Sequence, residues 1–135
     1  MGVLLIRVAL GVVFLAHGAQ KMLGWFGGQG IAGTMQYLNG YLKIPKPLAY
    51  IGAFTEFFGS IAPALGLFTK LAALGLCIMM LVAMFKVHWK VGFFMNWGGE
   101  ANRGEGYDFT LTLALALLSL LIAGGGPYSL DAMFR

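Results

Sequence analysis

Charge is scarce in this sequence. Only 10% of its 135 residues are Asp, Glu, Lys or Arg, while 59% are hydrophobic. A soluble domain carries roughly 25% charged residues. So little polar material cannot cover a water-soluble globule, and a mean hydropathy of +0.82 points to lipid as the solvent. Cysteine is nearly absent as well. Cys77 stands alone within an apolar run, which excludes an internal disulfide, a CxxC dithiol and Cys/His zinc spacing. A lone thiol there reads as a small buried hydrophobe. Acidic residues number only 5, and the 9 Lys and Arg that leave a net charge of +4 form no basic run. Nucleic acid is therefore excluded as a partner. The surplus suits loops held on the cytoplasmic side or against anionic headgroups. A cleavable leader is not expected either. No basic residue precedes the first apolar run, Arg7 interrupts it, and no small-x-small site follows. Ile6 stands where a myristoylation signal has Ser or Thr.

What the chain has instead is long apolar runs. About 20 such residues span a bilayer, and the stretches 3–24, 48–69, 70–90 and 107–123 qualify, the last a little short. They predict an all-α fold: an integral membrane four-helix bundle forming a single domain over 1–135. The second and third spans meet in a tight hairpin at Lys70. An even number of spans places both termini on one side and the long connections, 25–47 and 91–106, on the other.

The few ionisable residues gather on that long-loop side. His17 and Lys21 close the first span, and Glu56 lies about 12 Å into the second at 1.5 Å per residue. Lys86, His88 and Lys90 end the third, while Glu105, Tyr107 and Asp108 open the fourth. On the second span Gly52, Glu56, Gly59, Pro63 and Gly66 follow a 4-3-4-3 spacing, a stripe of small residues that lets helices approach in lipid. Glu56 shares the stripe and should face the bundle interior. Arg7, Gly11, Phe14, Gly18 and Lys21 form a comparable stripe, with His17 on its flank. An intramembrane charge costs about 2.5–3.5 kcal/mol on insertion scales, which makes Glu56 the first functional candidate. The structural alternative is a salt bridge from Glu56 to Lys21 or Lys86. His17 can act in proton transfer or simply donate to a backbone carbonyl. Lys86 and Lys90 are also explained by snorkelling, and His88 is similar. At the opposite end Arg7 and Asp131 are expected to pair and pin the helices.

The loops carry a misleading motif. Residues 28–33, GQGIAG, match GxGxxG, but that fingerprint binds nucleotides only between a strand and a helix, and this chain offers no sheet. The glycines suit an irregular headgroup loop, with Trp25 and Phe26 in the interfacial aromatic belt. Ile31, Met35, Leu38 and Leu42 then recur at helical spacing, predicting a short interfacial helix ended by Pro45 and Pro47. The other loop holds NWGGE at 96–100, so Trp97 and the pair Trp25–Phe26 are expected to act as aromatic lids over the polar cluster. Flat aromatic faces beside His and carboxylate suit a planar ring such as a quinone.

Together these residues resemble the DoxX family of small four-helix membrane proteins, over nearly the whole chain. The resemblance rests on Arg7, HGxxK at His17, Gly18 and Lys21, GWFGG at 24–28, and ExxG at Glu56 and Gly59. Lys86 with His88, GYDF at 106–109, and the closing Gly126, Pro127, Ser129, Leu130 and Asp131 complete it. Where the family pattern often has Glu-Tyr, this chain has Glu105-Gly106-Tyr107-Asp108. The resemblance implies redox work at the membrane: thiosulfate:quinone oxidoreduction, resistance to quinones and thiol stress, or maturation of redox enzymes.

The leading expectation is thus a redox-associated subunit of a quinone-linked oxidoreductase. Glu56 and His17 would exchange protons with the quinone oxygens, and Lys21 or Lys86 would stabilise a developing quinol anion. Trp25, Phe26, Lys86, His88, Trp97, Glu105, Tyr107 and Asp108 would surround the ring. The chain has no flavin motif, Fe–S ligand set or dithiol, so electrons would come from a soluble or membrane redox partner. No metal site is expected. Haem would need His17 and His88 as axial ligands, and their unmatched depths argue against it. Two rival classes remain: a non-catalytic assembly scaffold for a redox partner, and a small-solute or proton carrier, which at this size calls for a homo-oligomer. Lys21, Lys43, Lys46, Lys86, Lys90 and Arg103 outnumber Arg7, Lys70 and Arg135, which places the long loops in the cytoplasm, beneath a prokaryotic inner membrane.

Overall fold

A computed structural model describes residues 1–134. Four long helices dominate it: α1 (Gly2–Leu23), α3 (Lys46–Leu65), α4 (Thr69–Ala83) and α5 (Asp108–Ala123). A short α2 (Gly30–Met35) runs on through a widened, π-type stretch, Gln36–Tyr41, and α6 (Leu130–Met133) closes the chain. No strand occurs among the described residues. Helix α1, helix α3 and the rod Thr69–His88 are each long and apolar enough to cross a membrane. Helix α5, at 16 residues, spans about 24 Å, short of the ~30 Å hydrocarbon core.

Local chemistry sets the ends. Helix α1 stops where Gly24 turns left-handed at φ 75° and returns its N–H to the Ala19 carbonyl. The interfacial segment stops at Tyr41, ahead of a left-handed Lys43 at φ 61°, and neither proline ends it: Pro45 is the N-cap of α3, and Pro47 follows. Pro47 sits in the first turn of α3, where its missing N–H costs nothing. The expected span to residue 69 ends early because Gly66, at φ 71°, caps α3 just past Pro63. The third rod starts at Thr69, and its last turns, Met84–His88, are widened to the π type.

Close packing comes from α1. A Cβ on Gly11 would sit 2.8 Å from Ala64 Cβ, and one on Gly18 would sit 2.6 Å from Phe57 Cα. Seven residues along α1 match seven along antiparallel α3, so these two glycines fix the register of the pair. On α3 the fully buried row is Ala49, Ala53, Glu56, Ser60 and Pro63. Gly52 and Gly59 are turned toward Met79 and Leu76 of α4. The core lies between α1, α4 and α5, around Leu10, Phe14, Leu76, Leu117 and Leu120. Leu5, Val12, Phe58, Leu71 and Ile122 face outward, as lipid-facing positions do.

The corner opposite the long loops is held by Arg7, buried beneath the α3–α4 hairpin. Its guanidinium donates to four carbonyls: Pro63 at 2.8 Å, Ala64 at 3.3 Å, Gly125 at 3.0 Å and Tyr128 at 2.7 Å. Two of these belong to the last turn of α3, whose dipole favours a cation. The expected Arg7–Asp131 ion pair is therefore replaced by a division of labour. The Asp131 carboxylate accepts the N–H groups of Phe68 at 2.7 Å and Thr69 at 2.9 Å, capping α4 from the other end of the chain. The Arg7 donors are better matched to carbonyls that a helix end leaves orphaned.

Arg7→Met should lower unfolding free energy in detergent by about 3 kcal/mol, since buried carbonyls lose their donor. Asp131→Ala should cost only about 1 kcal/mol, the worth of a cap. Equal losses in a denaturant titration would indicate a direct ion pair instead. Gly18→Val should abolish folded protein in size-exclusion chromatography. Gly2→Val, whose Cβ meets nothing within 4 Å, should be silent.

Candidate functional site

The α1–α3 register delivers the centre of the site. With Gly18 against Phe57, Lys21, one turn nearer the end of α1, comes beside Glu56. Glu56 is 1% exposed, and its Oε2 accepts from the Lys21 Nζ in an ion pair. A lysine this close to a helix end ordinarily snorkels outward. Lys21 turns inward, because a buried carboxylate without a cation costs several kcal/mol. The Lys21 carbonyl in turn accepts from Thr34 Oγ1 at 3.1 Å, tying α2 to the same point.

Two cavities meet at this pair. The larger, of about 560 Å³, lies under the loop Gly27–Gln29 and α2, against α3 and α4. Its polar end is Gln20, Lys21, Thr34, Tyr37 and Glu56, and the rest is mostly aliphatic. Tyr37 lies on the interfacial segment, where burial and then the neighbouring Tyr41 push its phenol above its ordinary range. It is a neutral donor. The smaller cavity, of about 290 Å³, lies between α1, α4 and the start of α5, with His17, His88, Glu105, Met95, Phe109 and Thr110 in its wall. Lys21, Glu56, Met80, Ala83 and His88 line both. The ion pair is thus part of a shared partition.

The two histidines are held alike. His17 Nδ1 lies 2.8 Å from the Val13 carbonyl and His88 Nδ1 lies 2.8 Å from the Glu105 carbonyl. A carbonyl accepts only from N–H, so in the neutral ring Nε2 carries the free lone pair. Such a ring can accept a proton or release one. Among the described residues no group of three or more His, Cys, Asp or Glu is placed to hold a metal ion.

The structure therefore brings His17, Lys21, Glu56, His88 and Glu105 together, and it leaves the other expected residues outside. Trp25 and Phe26 stand exposed on the turn after α1, Trp97 is 85% exposed, and none of them lines either cavity. They are not lids. The turn is fixed by backbone contact: a Cβ on Gly28 would lie 2.3 Å from the Gln20 carbonyl oxygen. This close approach accounts for the glycine that mimicked a nucleotide motif. Lys86 is exposed and lines neither cavity, since residues two apart on a helix do not share a face and His88 takes the inner one. Tyr107 stacks on Trp89 at 4.9 Å and meets Phe93 edge-on at 5.4 Å. Asp108 accepts from the Met95 N–H at 3.4 Å, and Glu105 from the Asn96 N–H at 2.6 Å. These groups shape the second long loop, and of the expected residues Glu105, Tyr107 and Asp108 only Glu105 also reaches the smaller cavity. Ala49, Gly52, Ala53, Met80 and Met95 were not expected at a site, because small and apolar residues in a membrane helix read as packing.

Lys21→Met should destabilise the protein by about 2–3 kcal/mol, less than a fully buried pair because the Lys21 side chain keeps 37% exposure. Adding Glu56→Gln should restore most of that loss, and a double-mutant cycle by thermal unfolding reads the coupling.

Comparisons with known proteins fit this geometry. The family model DoxX matches residues 2–89. CatD of Bacillus subtilis (strain 168), whose name assigns it provisionally to the oxidoreductases, is 28% identical over 97% of this chain and 85% of its own. The inner membrane protein YqjF of Escherichia coli (strain K12) is 28% identical over 100% of this chain and 93% of its own. No solved structure gives a significant match. The matched residues carry α1, α3 and α4, with Arg7, Lys21, Glu56 and the whole wall of the larger cavity, and the chain belongs to the DoxX family of membrane proteins.

Proposed function

We propose that this chain is a redox-associated membrane subunit that binds a quinone against the Lys21–Glu56 pair. One observation carries the reading: a carboxylate 1% exposed, paired with a lysine, forms the common wall of two cavities at one end of the bundle. A quinone is flat, membrane-dissolved and bears two acceptor oxygens. The Lys21 ammonium donates to such an oxygen and stabilises the anion that develops on reduction. Glu56 and the free nitrogens of His17 and His88 are the proton-exchanging groups. Reduction to quinol takes two electrons and two protons. The side chains handle the protons, and the electrons come from a redox partner. The provisional oxidoreductase name of the Bacillus relative supports the same class. The excess of Lys and Arg on the long-loop side supports a cytoplasmic site.

A second reading, an assembly scaffold, draws on one feature: Phe26, Phe94 and Trp97 stand exposed on the long-loop side. It needs the loops and not Glu56.

Wild-type protein purified in mild detergent should yield quinone on solvent extraction, and Glu56→Gln should lower that yield by about tenfold, the worth of one charge-assisted hydrogen bond. A quinone-free wild type, with the variant still capturing the same redox partner as wild type, would favour the scaffold.

A further inference from the structure

The larger cavity exists because side chains are missing from its floor. Helix α3 contributes Ala49, Gly52 and Ala53 just before Glu56. Ala49 and Ala53 are buried, yet a Cβ on Gly52 would meet nothing nearer than Met79 Cε at 3.9 Å. Neighbours have not closed over the glycine. Leu48 and Ile78 line the cavity while remaining 58% and 53% exposed on the outer faces of α3 and α4. In a bilayer the outer sides of these two wall residues meet lipid. The lining is charged and polar at the ion pair, Gln20, Thr34 and Tyr37, and mostly aliphatic elsewhere, with Leu48 and Ile78 facing lipid. A volume of about 560 Å³ falls in the range of small-molecule sites.

We infer that this cavity takes the hydrocarbon chain of a membrane-dissolved amphiphile, with its polar head at Lys21–Glu56, and that Gly52 sets the room for the chain. Two sources share that chemistry: the prenyl tail of a quinone and the acyl tail of a phospholipid. For the quinone tail the inference rests on the function proposed above. For the acyl tail it stands without it.

The test uses the full chain in phospholipid nanodiscs, with wild type, Gly52→Leu and the milder Gly52→Ala. A decaprenyl quinone and its tail-less analogue are titrated, and retained phospholipid is read by native mass spectrometry of detergent-purified protein. Wild type should bind the prenylated quinone about tenfold tighter than the tail-less one, since every buried methylene adds affinity. Gly52→Leu should remove about tenfold of that preference and leave the tail-less quinone within about twofold, with Gly52→Ala intermediate. If neither quinone binds wild type but a phospholipid is retained and lost on Gly52→Leu, the chamber holds an acyl chain and the quinone reading fails. Equal affinity for both quinones, unchanged by either variant, would overturn the chamber and leave the quinone reading intact. Absence of both quinone binding and retained lipid would overturn both.

Discussion

A carboxylate inside a lipid-embedded bundle must find a cation, and Glu56 finds Lys21. Water cannot satisfy it there, and the surrounding acyl chains offer nothing. Meeting that demand constrains the whole fold. Lys21 reaches Glu56 only if α1 and α3 hold one register, and that register depends on Gly11 and Gly18, where a single methyl would collide with α3. Arg7 secures the same pair of helices at the far end through the carbonyls that close α3. The two cations stand 14 residues apart on α1, about 21 Å, so α1 is clamped at both ends by groups that cannot slide without orphaning a buried charge.

The clamp at Lys21 is an unusual way to gain stability. An apolar pair of similar volume often serves as well or better, by about 1–4 kcal/mol, because removing both charges from water is so unfavourable. Arg7 is different. It answers carbonyls that the backbone must present at a helix end, so its polarity compensates for polarity already there. Glu56 answers no such need, as it sits mid-helix, away from the helix ends. Its charge satisfies no backbone group, and among the described residues only Lys21 forms an ion pair with it. That such a charge pair should form the partition between two cavities supports a role in chemistry over a role in packing alone.

How much of this was legible depends on what kind of information a side chain carries. The topology was readable because runs of apolar residues fix spans, and spans fix which ends meet. Hence His17, Lys21, Glu56 and His88 could be brought together from the sequence, although they lie far apart along it. Arg7 was readable as an anchor, but its partners were carbonyls, which no sequence letter reports. Pairing it with Asp131 followed from counting charges when the real balance involved helix ends. Trp25, Phe26 and Trp97 were expected over the site because an aromatic-glycine loop beside a polar cluster invites a lid. Whether the Trp25 and Phe26 rings turn inward depends on the left-handed turns at Gly24, Phe26 and Gly27, and both rings stand exposed. The cavities themselves were invisible, since Ala49, Gly52 and Ala53 spell close packing and empty space with the same letters.

The two cavities differ in what lines them. The wall of the larger is mostly aliphatic and includes the outward-facing Leu48 and Ile78. The smaller is bounded by Met95 and Glu105 of the second long loop, with His17 of α1 in the same wall. A molecule dissolved in the membrane and a proton dissolved in water come from opposite solvents and ordinarily have no common site. Among the described residues Met80, Ala83, Lys21, Glu56 and His88 border both spaces, and of these Lys21, Glu56 and His88 are ionisable. A reaction of the proposed kind, which brings protons to a membrane-dissolved molecule, would find its ionisable groups on that shared wall.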